Sequence, residues 1–330
     1  MDDATLIQKA EDYYGEERLL KAADMLRKVK EQETMFTDLH ITILKWAELV
    51  ESGMEDLLLD PEQDESPWIK QKENHGHRDF LIFYQVTDQN QLIARIDCAI
   101  ESSLLVPMLS VFNESELYAS WMPSWEKPIR LGVTRSIKLR EEGRGKQLIH
   151  VTTALTWPFC DRDLIMRVMA VDVIEGDDDN HKSCIAIQAL SQTPEDDPIV
   201  PEPTRNVVHL DFASFFLVRA CPPDHPCLTR SRHQNTEHEP KVLVSCSLEV
   251  DPHIGVVPRS VQNFVTRTAL GRLWSTTLQV AEDVRDGKRP MHKQAIDAKR
   301  ELYDWVEERV GVMIEKLGKE KSAPAKTLVE

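Results

Sequence analysis

Eight strand-like segments follow one another between residues 79 and 250, and this run restricts the possible folds more than any other feature. The segments are 79–86, 91–98, 128–139, 147–155, 162–174, 183–190, 207–219 and 241–250. Turn-forming stretches such as Thr87-Asp88-Gln89-Asn90 separate them. Only one helical stretch, 101–118, interrupts the run, so the strand–helix alternation of a parallel sheet is missing. The sequence therefore predicts an α+β fold built on an antiparallel sheet.

The last two strand-like segments alternate between apolar and polar residues, as in a sheet with one apolar face. On segment 207–219 the positions sharing the apolar face are Val208, Leu210, Phe212, Ser214, Phe216 and Val218. On segment 241–250 they are Val242, Val244, Cys246, Leu248 and Val250. This spacing predicts a consecutive antiparallel meander.

Helical patterns flank the strands on both sides. Residues 4–30 and 35–59 carry apolar stripes at helical spacing, with a possible break at Gly15-Glu16-Glu17. A polar linker, 60–67, follows them. A single helical hairpin cannot bury its own apolar face, so we expect it to dock on the next domain.

Two further helices are predicted after the strands, from Pro258 to about Val284 and from about Met291 to Leu317, with a disordered tail from Gly318. We accordingly divide the chain into an acidic hairpin and linker (1–66), a central domain (67–286), and a C-terminal helix with its tail (287–330).

Composition excludes several classes of protein. The formal net charge is −16, and residues 1–66 hold seven basic against eighteen acidic side chains, which argues against nucleic acid as a partner. No apolar run approaches the roughly 20 residues of a membrane-spanning helix. The chain begins with acidic residues rather than a secretory signal pattern. Four of the six cysteines lie singly in apolar segments, typical of reduced thiols, so we expect a cytoplasmic protein.

The helix starting at Pro258 is apolar on two sides, and one of these sides is unusually small because it carries Thr268, Gly271 and Ser275. Such a side leaves room against the concave face of a sheet. A space of this kind suits an apolar ligand, since each buried methylene contributes about 0.8 kcal/mol. The pattern alone leaves a filled core as the alternative.

Three motifs occur in one order. The first is Glu101-Ser102-Ser103-Leu104-Leu105-Val106-Pro107 through Asn113-Glu114 to Tyr118-Ala119-Ser120-Trp121-Met122-Pro123. The second is Trp157-Pro158-Phe159-Cys160-Asp161-Arg162-Asp163, and the third runs from Asp251-Pro252 through Val257-Pro258 to Phe264. Together, over residues 68–286, they resemble the START (steroidogenic-acute-regulatory-related lipid transfer) domain family. The chain departs from the family pattern at Met122 and at His253-Ile254-Gly255.

The resemblance implies a helix-grip fold, in which a curved antiparallel sheet surrounds a hydrophobic cavity closed by a long C-terminal helix. It also implies lipid binding or transfer without covalent chemistry. We expect the ligand to be a phospholipid, sterol or sphingolipid, with no cofactor or metal. The acidic balance indicates that membrane contact is transient. The candidate cavity and lid residues are Leu105, Met108, Glu114, Trp121, Arg130, His150, Arg167, Phe212, Phe216, Leu248, Val261, Phe264, Val265, Thr268 and Gly271. Further candidates for orienting a headgroup are Glu116 and Arg95.

Two other functions stay open at this point. The chain is alternatively a regulatory adaptor, whose N-terminal helices recruit a protein while the central domain senses lipid. A third reading is a small-molecule enzyme of helix-grip type, with His150 or Glu114 as the base. This reading is less favoured because no familiar catalytic motif occurs in the sequence. Cys221, Cys227, His233 and His238 come in order, but their spacings are longer than structural zinc sites favour.

Overall fold

The computed structural model describes most of the chain. The described ranges are 2–30, 35–63, 66–75, 79–87, 92–126, 130–155, 160–174, 183–222, 225–228, 240–251, 253 and 268–322. Within them, no helix is both long enough and apolar enough to cross a bilayer.

Helices lie at both ends of the described chain and in one central group. The helices are α1 (Asp3–Gly15), α2 (Leu19–Arg27), α3 (Asp38–Leu58), α4 (Leu105–Asn113), α5 (Tyr118–Trp121), α6 (Leu270–Arg285), α7 (Pro290–Ala298) and α8 (Arg300–Ser322). Short 3-10 turns, Ser102–Leu104 and Ser115–Leu117, precede α4 and α5.

One sheet of ten strands organises the described residues. The strands are β1 (Ile69–His75), β2 (Asp79–Val86), β3 (Leu92–Glu101), β4 (Leu131–Glu141), β5 (Lys146–Leu155), β6 (Asp161–Asp172), β7 (Cys184–Ser191), β8 (Val207–His209), β9 (Asp211–Ala220) and β10 (Lys241–Asp251). Their order is β1-β2-β3-β10-β9-β7-β6-β5-β4, and β8 pairs in parallel with β6. The other pairings are antiparallel. The predicted α+β class with a curved antiparallel sheet is confirmed.

The sheet consists of two meanders, β1–β3 and β4–β10, joined where β10 pairs with β3. Nine consecutive residue pairs, from Lys241–Glu101 to Glu249–Ile93, form this junction. On its other side β10 pairs with β9 over ten residues. The strand that comes last in the sequence is therefore central in the sheet, and it fixes the two halves relative to each other.

The inner face of the sheet packs on α4, α6 and α8 and forms the larger core. Alternating residues of β10 (Val242, Val244 and Cys246) belong to it, as do Trp274 and Leu278 of α6. Helix α8 contributes Val310 and Met313 to the same core. The C-terminal helix is thus a layer of the domain itself.

The outer face packs on α1, α2 and α3 and forms a second core. Phe215 and Leu217 of β9 lie here with Trp46 and Val50 of α3. Helix α3 comes closest at Gly53, where an added Cβ would lie 2.6 Å from Cγ of Phe215. The N-terminal helices dock on the following domain, as expected from the sequence. Their apolar stripe packs against the outer face of the sheet.

Arg95 fastens the end of α3 to the outer face. Its guanidinium donates to the carbonyl oxygens of Leu57 (3.1 Å) and Leu59 (2.9 Å), at the C-terminus of the helix. Its Nε donates to the carboxylate of Asp97 at 3.1 Å, and both side chains are essentially unexposed. A cation at a helix C-terminus satisfies carbonyls that lack partners in the helix and opposes the negative end of its dipole.

Several sequence expectations are corrected. Strand β1 was missed because its residues are mostly polar, which is typical of an edge strand rather than an apolar interior one. The predicted strand 207–219 divides at Leu210, where the chain leaves β6 to pair with β7. The predicted 291–317 helix breaks at Lys299, and helix continues to Ser322 where disorder was expected from Gly318. Strand β9 is apolar on both faces because both are covered by helices.

Replacing Gly53 with Ala should lower the free energy of unfolding by about 1–3 kcal/mol, because the new methyl overlaps the buried ring of Phe215. Gly311→Ala in α8 is the matched control, since nothing lies within 4 Å of its added Cβ and alanine favours a helix by about 1 kcal/mol. Urea unfolding of both variants checks this. Equal stability of the two variants would contradict the close approach of α3 to the sheet.

Candidate functional site

An apolar cavity of about 110 Å³ lies on the inner side of the sheet, between the sheet, α4 and α8. Its apolar lining comes from Leu109, Phe112, Val168, Ala170, Val171, Ile174, Ile185, Ile187, Leu302, Trp305 and Val306. An apolar cavity of about 150 Å³ is known to accept a molecule of benzene size. This cavity has about three quarters of that volume, so it has room for the end of a hydrocarbon chain or a compact apolar group rather than a whole larger molecule.

Three distant parts of the chain meet at the rim of this cavity. Glu17, in the turn between α1 and α2, has a backbone φ of 66° and lies next to the tip of the β4–β5 hairpin. Its carboxylate accepts a hydrogen bond from the backbone N–H of Arg144 (3.3 Å) and lies 3.1 Å from Nζ of Lys146. The guanidinium of Arg144 stacks on Trp305 of α8 at 5.3 Å. Both terminal segments thus contribute to the site.

A buried carboxylate, Glu114, fastens α8 beside the cavity. It accepts hydrogen bonds from Nζ of Lys299 (2.6 Å), the hydroxyl of Tyr303 (2.6 Å) and Nδ2 of Asn113 (3.0 Å). A second ion pair, Arg309 with Asp172 at 2.6 Å, ties the next turns of α8 to the end of β6. The position of α8 over the cavity therefore depends on two charge pairs as well as on apolar packing.

The hydrogen bonds to Glu114 change its acidity. Burial by itself would raise the pKa of this carboxyl, but the bonds from Lys299 and Tyr303 outweigh it, and the pKa lies below its ordinary value. Burial, and then the neighbouring charge of Glu114, raise the pKa of the Tyr303 hydroxyl, which keeps its proton for donation. Glu114 is therefore a charged carboxylate that accepts hydrogen bonds from Asn113, Lys299 and Tyr303.

A second cavity, of about 500 Å³, lies on the outer face between the end of α3, the segment leading to β1, and the strands below. Its walls include Asp56, Asp60, Gln188 and Glu249. This cavity is larger but carries several polar and acidic groups. Because an apolar ligand gains most from an apolar lining, the inner cavity is the candidate site for such a ligand.

Six predicted site residues belong to the inner core or to its surface, and a seventh is buried in α6. Leu105, Met108 and Trp121 are buried there, and Phe212, Phe216 and Leu248 are half-buried against it. Gly271 is buried in the first turn of α6. The ring of Phe216 lies 5.0 Å from that of Phe112, which lines the cavity. Within the described ranges, none of the predicted site residues itself lines the 110 Å³ cavity.

The predicted basic residues lie elsewhere. Arg167 pairs with Asp197 on the outer face at 2.7 Å, and Nε2 of His150 lies 2.8 Å from a carboxylate oxygen of Asp163 on the same face. Arg95 lies under α3, as described above. Exposed Arg130 precedes β4. The strand alternation, which sends successive side chains to opposite faces, accounts for these positions.

The remaining predicted positions are either exposed or outside the described residues. Thr268 is exposed, and Glu116 is also exposed. Val261, Phe264 and Val265 lie outside the described residues, as do His233 and His238 of the considered zinc pattern. Cys227, from that pattern, is buried and donates to the carbonyl of Asp97 at 3.3 Å. Burial raises the pKa of the Cys227 thiol, which favours its protonated form.

Sequence reasoning missed the cavity residues of α8 and of the α1–α2 turn. The spacing of Tyr303, Val306, Val310 and Met313 indicated an apolar stripe on this helix, but the helix was placed outside the central domain. The stripe is the signal that was available, because such a face needs a partner. Glu17 carried no signal, since its role depends on a hairpin tip 127 residues away.

No protein-family model matches the chain, and no curated protein matches it either. Its structure is similar to those of START-type lipid-transfer proteins. Human STARD10 is 13% identical with a TM-score of 0.49, covering 77% of this chain and 83% of its own. Human StAR-related lipid transfer protein 5 is 14% identical with a TM-score of 0.49, covering 73% and 98%. A STAR-related lipid transfer protein from Xanthomonas axonopodis is 15% identical with a TM-score of 0.44, covering 65% and 98%. The strand order and the packing of helices on both faces of the sheet define the fold.

Replacing Glu114 with Gln should lower the free energy of unfolding by about 2 kcal/mol at pH 7, because Lys299 loses its charged partner. The folded-state pKa of Glu114 is depressed, so its contribution is present above the ordinary carboxyl pKa and is lost as pH falls through the lower folded value. The difference between the two proteins should therefore shrink at acidic pH. Urea unfolding across a pH series measures it.

Glu116→Gln is the control for this series, because Glu116 is exposed two residues away. Its effect should stay within about 0.5 kcal/mol at every pH. A Glu114→Gln effect that is equally large at pH 7 and at low pH would contradict the ionised pairing.

Proposed function

We propose that this protein binds a hydrophobic ligand, most simply a lipid, on the inner side of its sheet and carries it between membranes without chemical change. The observation that carries the proposal is the apolar cavity between the sheet, α4 and α8. Hydrocarbon is favoured there because its transfer from water removes apolar surface on both partners.

The apolar residues beside the cavity support the same proposal. Phe112, Phe212, Phe216 and Leu248 pack on the inner core yet stay half-buried. A domain interior that is closed by its own side chains would bury such residues completely. Their partial exposure supplies additional apolar surface for a ligand that extends beyond the cavity.

The cavity volume of about 110 Å³ is below the 300–1,000 Å³ that small-molecule sites commonly have. A whole lipid therefore requires more room than the described residues enclose. Helix α8 is the layer whose displacement would enlarge the cavity, since five of its residues line it. We propose that uptake involves movement of α8, opposed by the ion pair of Arg309 in the helix and by that of Lys299 directly before it.

The alternative role as an adaptor has less support. The apolar stripe of the N-terminal helices, which would recruit a protein, is packed on the sheet. Binding rather than catalysis is proposed because the charged groups nearest the cavity, such as Glu114 and Asp172, are paired with cations in α8 or beside it. A cytoplasmic location with transient membrane contact remains part of the proposal.

Native mass spectrometry of protein purified from a eukaryotic host, followed by organic extraction, tests the proposal. We expect one retained lipid per chain, and transfer of that lipid class between donor and acceptor vesicles. Val168→Trp should abolish retention, because the indole fills the cavity that Val168 lines.

Val86→Trp provides the control, since Val86 is exposed at the end of β2 and should leave retention unchanged. An apo mass that persists after incubation of the wild-type protein with mixed liposomes would overturn the proposal. Equal retention by both variants would place the ligand elsewhere in the molecule.

A further inference from the structure

Gln147 is a buried polar residue in the lining of the apolar cavity, and the oxygen of its amide has no hydrogen-bond partner among the described residues. The side chain lies in β5 and is 5% exposed. Its Nε2 donates to the carbonyl oxygen of Asn113 at 3.3 Å. Its Oε1 is buried and accepts no hydrogen bond from the described part of the chain. A buried acceptor without a donor raises the free energy of the folded protein, so we expect Oε1 to receive a hydrogen bond from a bound molecule.

The orientation of the amide is determined by Asn113. Exchanging the nitrogen and oxygen of Gln147 would place two acceptors, Oε1 and the Asn113 carbonyl oxygen, against each other. Only the orientation with Nε2 towards that carbonyl gives a hydrogen bond. The atom left for a partner is therefore an acceptor, and the partner must be a donor.

The neutral donors of the neighbouring residues Asn113 and Tyr303 are already used. Nδ2 of Asn113 donates to Oε1 of Glu114 and to the Tyr303 hydroxyl oxygen. The Tyr303 hydroxyl in turn donates to the same carboxylate, which is charged and therefore the stronger acceptor. Lys299 donates to the other oxygen of the same carboxylate. A donor for Gln147 must consequently come from outside this network.

The charges around the cavity indicate what kind of molecule brings that donor. Glu17 lies 3.1 Å from Lys146, and Asp172 lies 2.6 Å from Arg309, so each carboxylate on the rim has a cation beside it. Arg144 is exposed and stacks on Trp305. A charged group inside the apolar part would lose its hydration without gaining a counter-charge there, which is strongly unfavourable.

We propose that the ligand of this cavity is an uncharged apolar molecule carrying a hydroxyl group, and that this hydroxyl donates to Oε1 of Gln147. The inference rests on the proposed function, since it names the ligand class of the same cavity. Gln147 is then the residue that determines specificity: it selects a donor at one end of an apolar body. A ligand of equal size without a hydrogen-bond donor would leave Oε1 of Gln147 unpaired, and it should therefore bind more weakly than the alcohol.

Two isomers of the same composition, 1-hexanol and methyl pentyl ether, test this because only the alcohol has a donor. Binding to the full chain is followed by NMR on isotope-labelled methyl groups, with Val168 and Ile187 as reporters of the cavity. For the wild-type protein we expect the dissociation constant of the alcohol to be at least about tenfold lower than that of the ether. In Gln147→Met, which keeps the side-chain length but removes the acceptor, the preference should fall below about twofold.

Gln188→Met is the matched control, because Gln188 is equally buried but lines the outer cavity, and it should keep the tenfold preference. If the wild-type protein binds both isomers alike at the reporter methyls, the hydroxyl inference is overturned while the proposed apolar site stands. A water molecule held permanently on Gln147 would give that result. If neither isomer perturbs these methyls, the proposed function fails as well. The wild-type comparison decides between these outcomes even if Gln147→Met does not fold.

Discussion

The pairing of β10 with β3 is the interaction on which the rest of the structure depends. It brings together residues about 140 positions apart, as in the ion pair between Lys241 and Glu101. Without it, β1–β3 and β4–β9 would be separate small sheets, and neither face would be wide enough to carry its helices. Ordering so long a loop is entropically unfavourable, so the junction must be compensated by the apolar burial that it permits on both faces. The buried row Val242, Val244 and Cys246 supplies part of that compensation.

Both faces of the sheet are covered by helices that come from the terminal segments of the chain. Helices α1–α3 bury the outer face, and α8 buries part of the inner face, so each is a structural layer of the domain. Their ends converge on the β4–β5 hairpin, where Glu17, Arg144 and Trp305 lie together. The candidate cavity has its rim at this convergence. Its shape is therefore set by three chain segments that are remote in sequence.

Much of the fold was predictable, because alternation of apolar residues and the absence of intervening helices are local signals. They located β2 to β7, β10 and the antiparallel class. The strand order was not available from the same signals, since nothing in the pattern of Lys241–Asp251 states which strands become its neighbours. Strand β1 escaped because an exposed edge needs no apolar residues.

The candidate site was predicted less well than the fold, and the reason is physical. Apolar residues of the inner core, such as Leu105 and Met108, follow from periodicity, because burial is what periodicity encodes. Whether Arg167 faces the cavity or the opposite side depends on strand register, which shifts by one residue without any change in composition. Glu114 was identified as a functional candidate, but its partners Lys299 and Tyr303 come from a helix that had been assigned to another unit.

The central position of β10 also affects how the chain is made. The residues of this sequence up to the end of β10 take roughly 10 to 50 s to synthesise at typical elongation rates, and only then can this strand enter the sheet. Until then β3 and β9 are both open edges, and the apolar rows that will face α6 and α8 have no cover. Both open edges present unpaired backbone N–H and C=O groups, so the partly synthesised sheet is prone to pairing with other chains until β10 is in place.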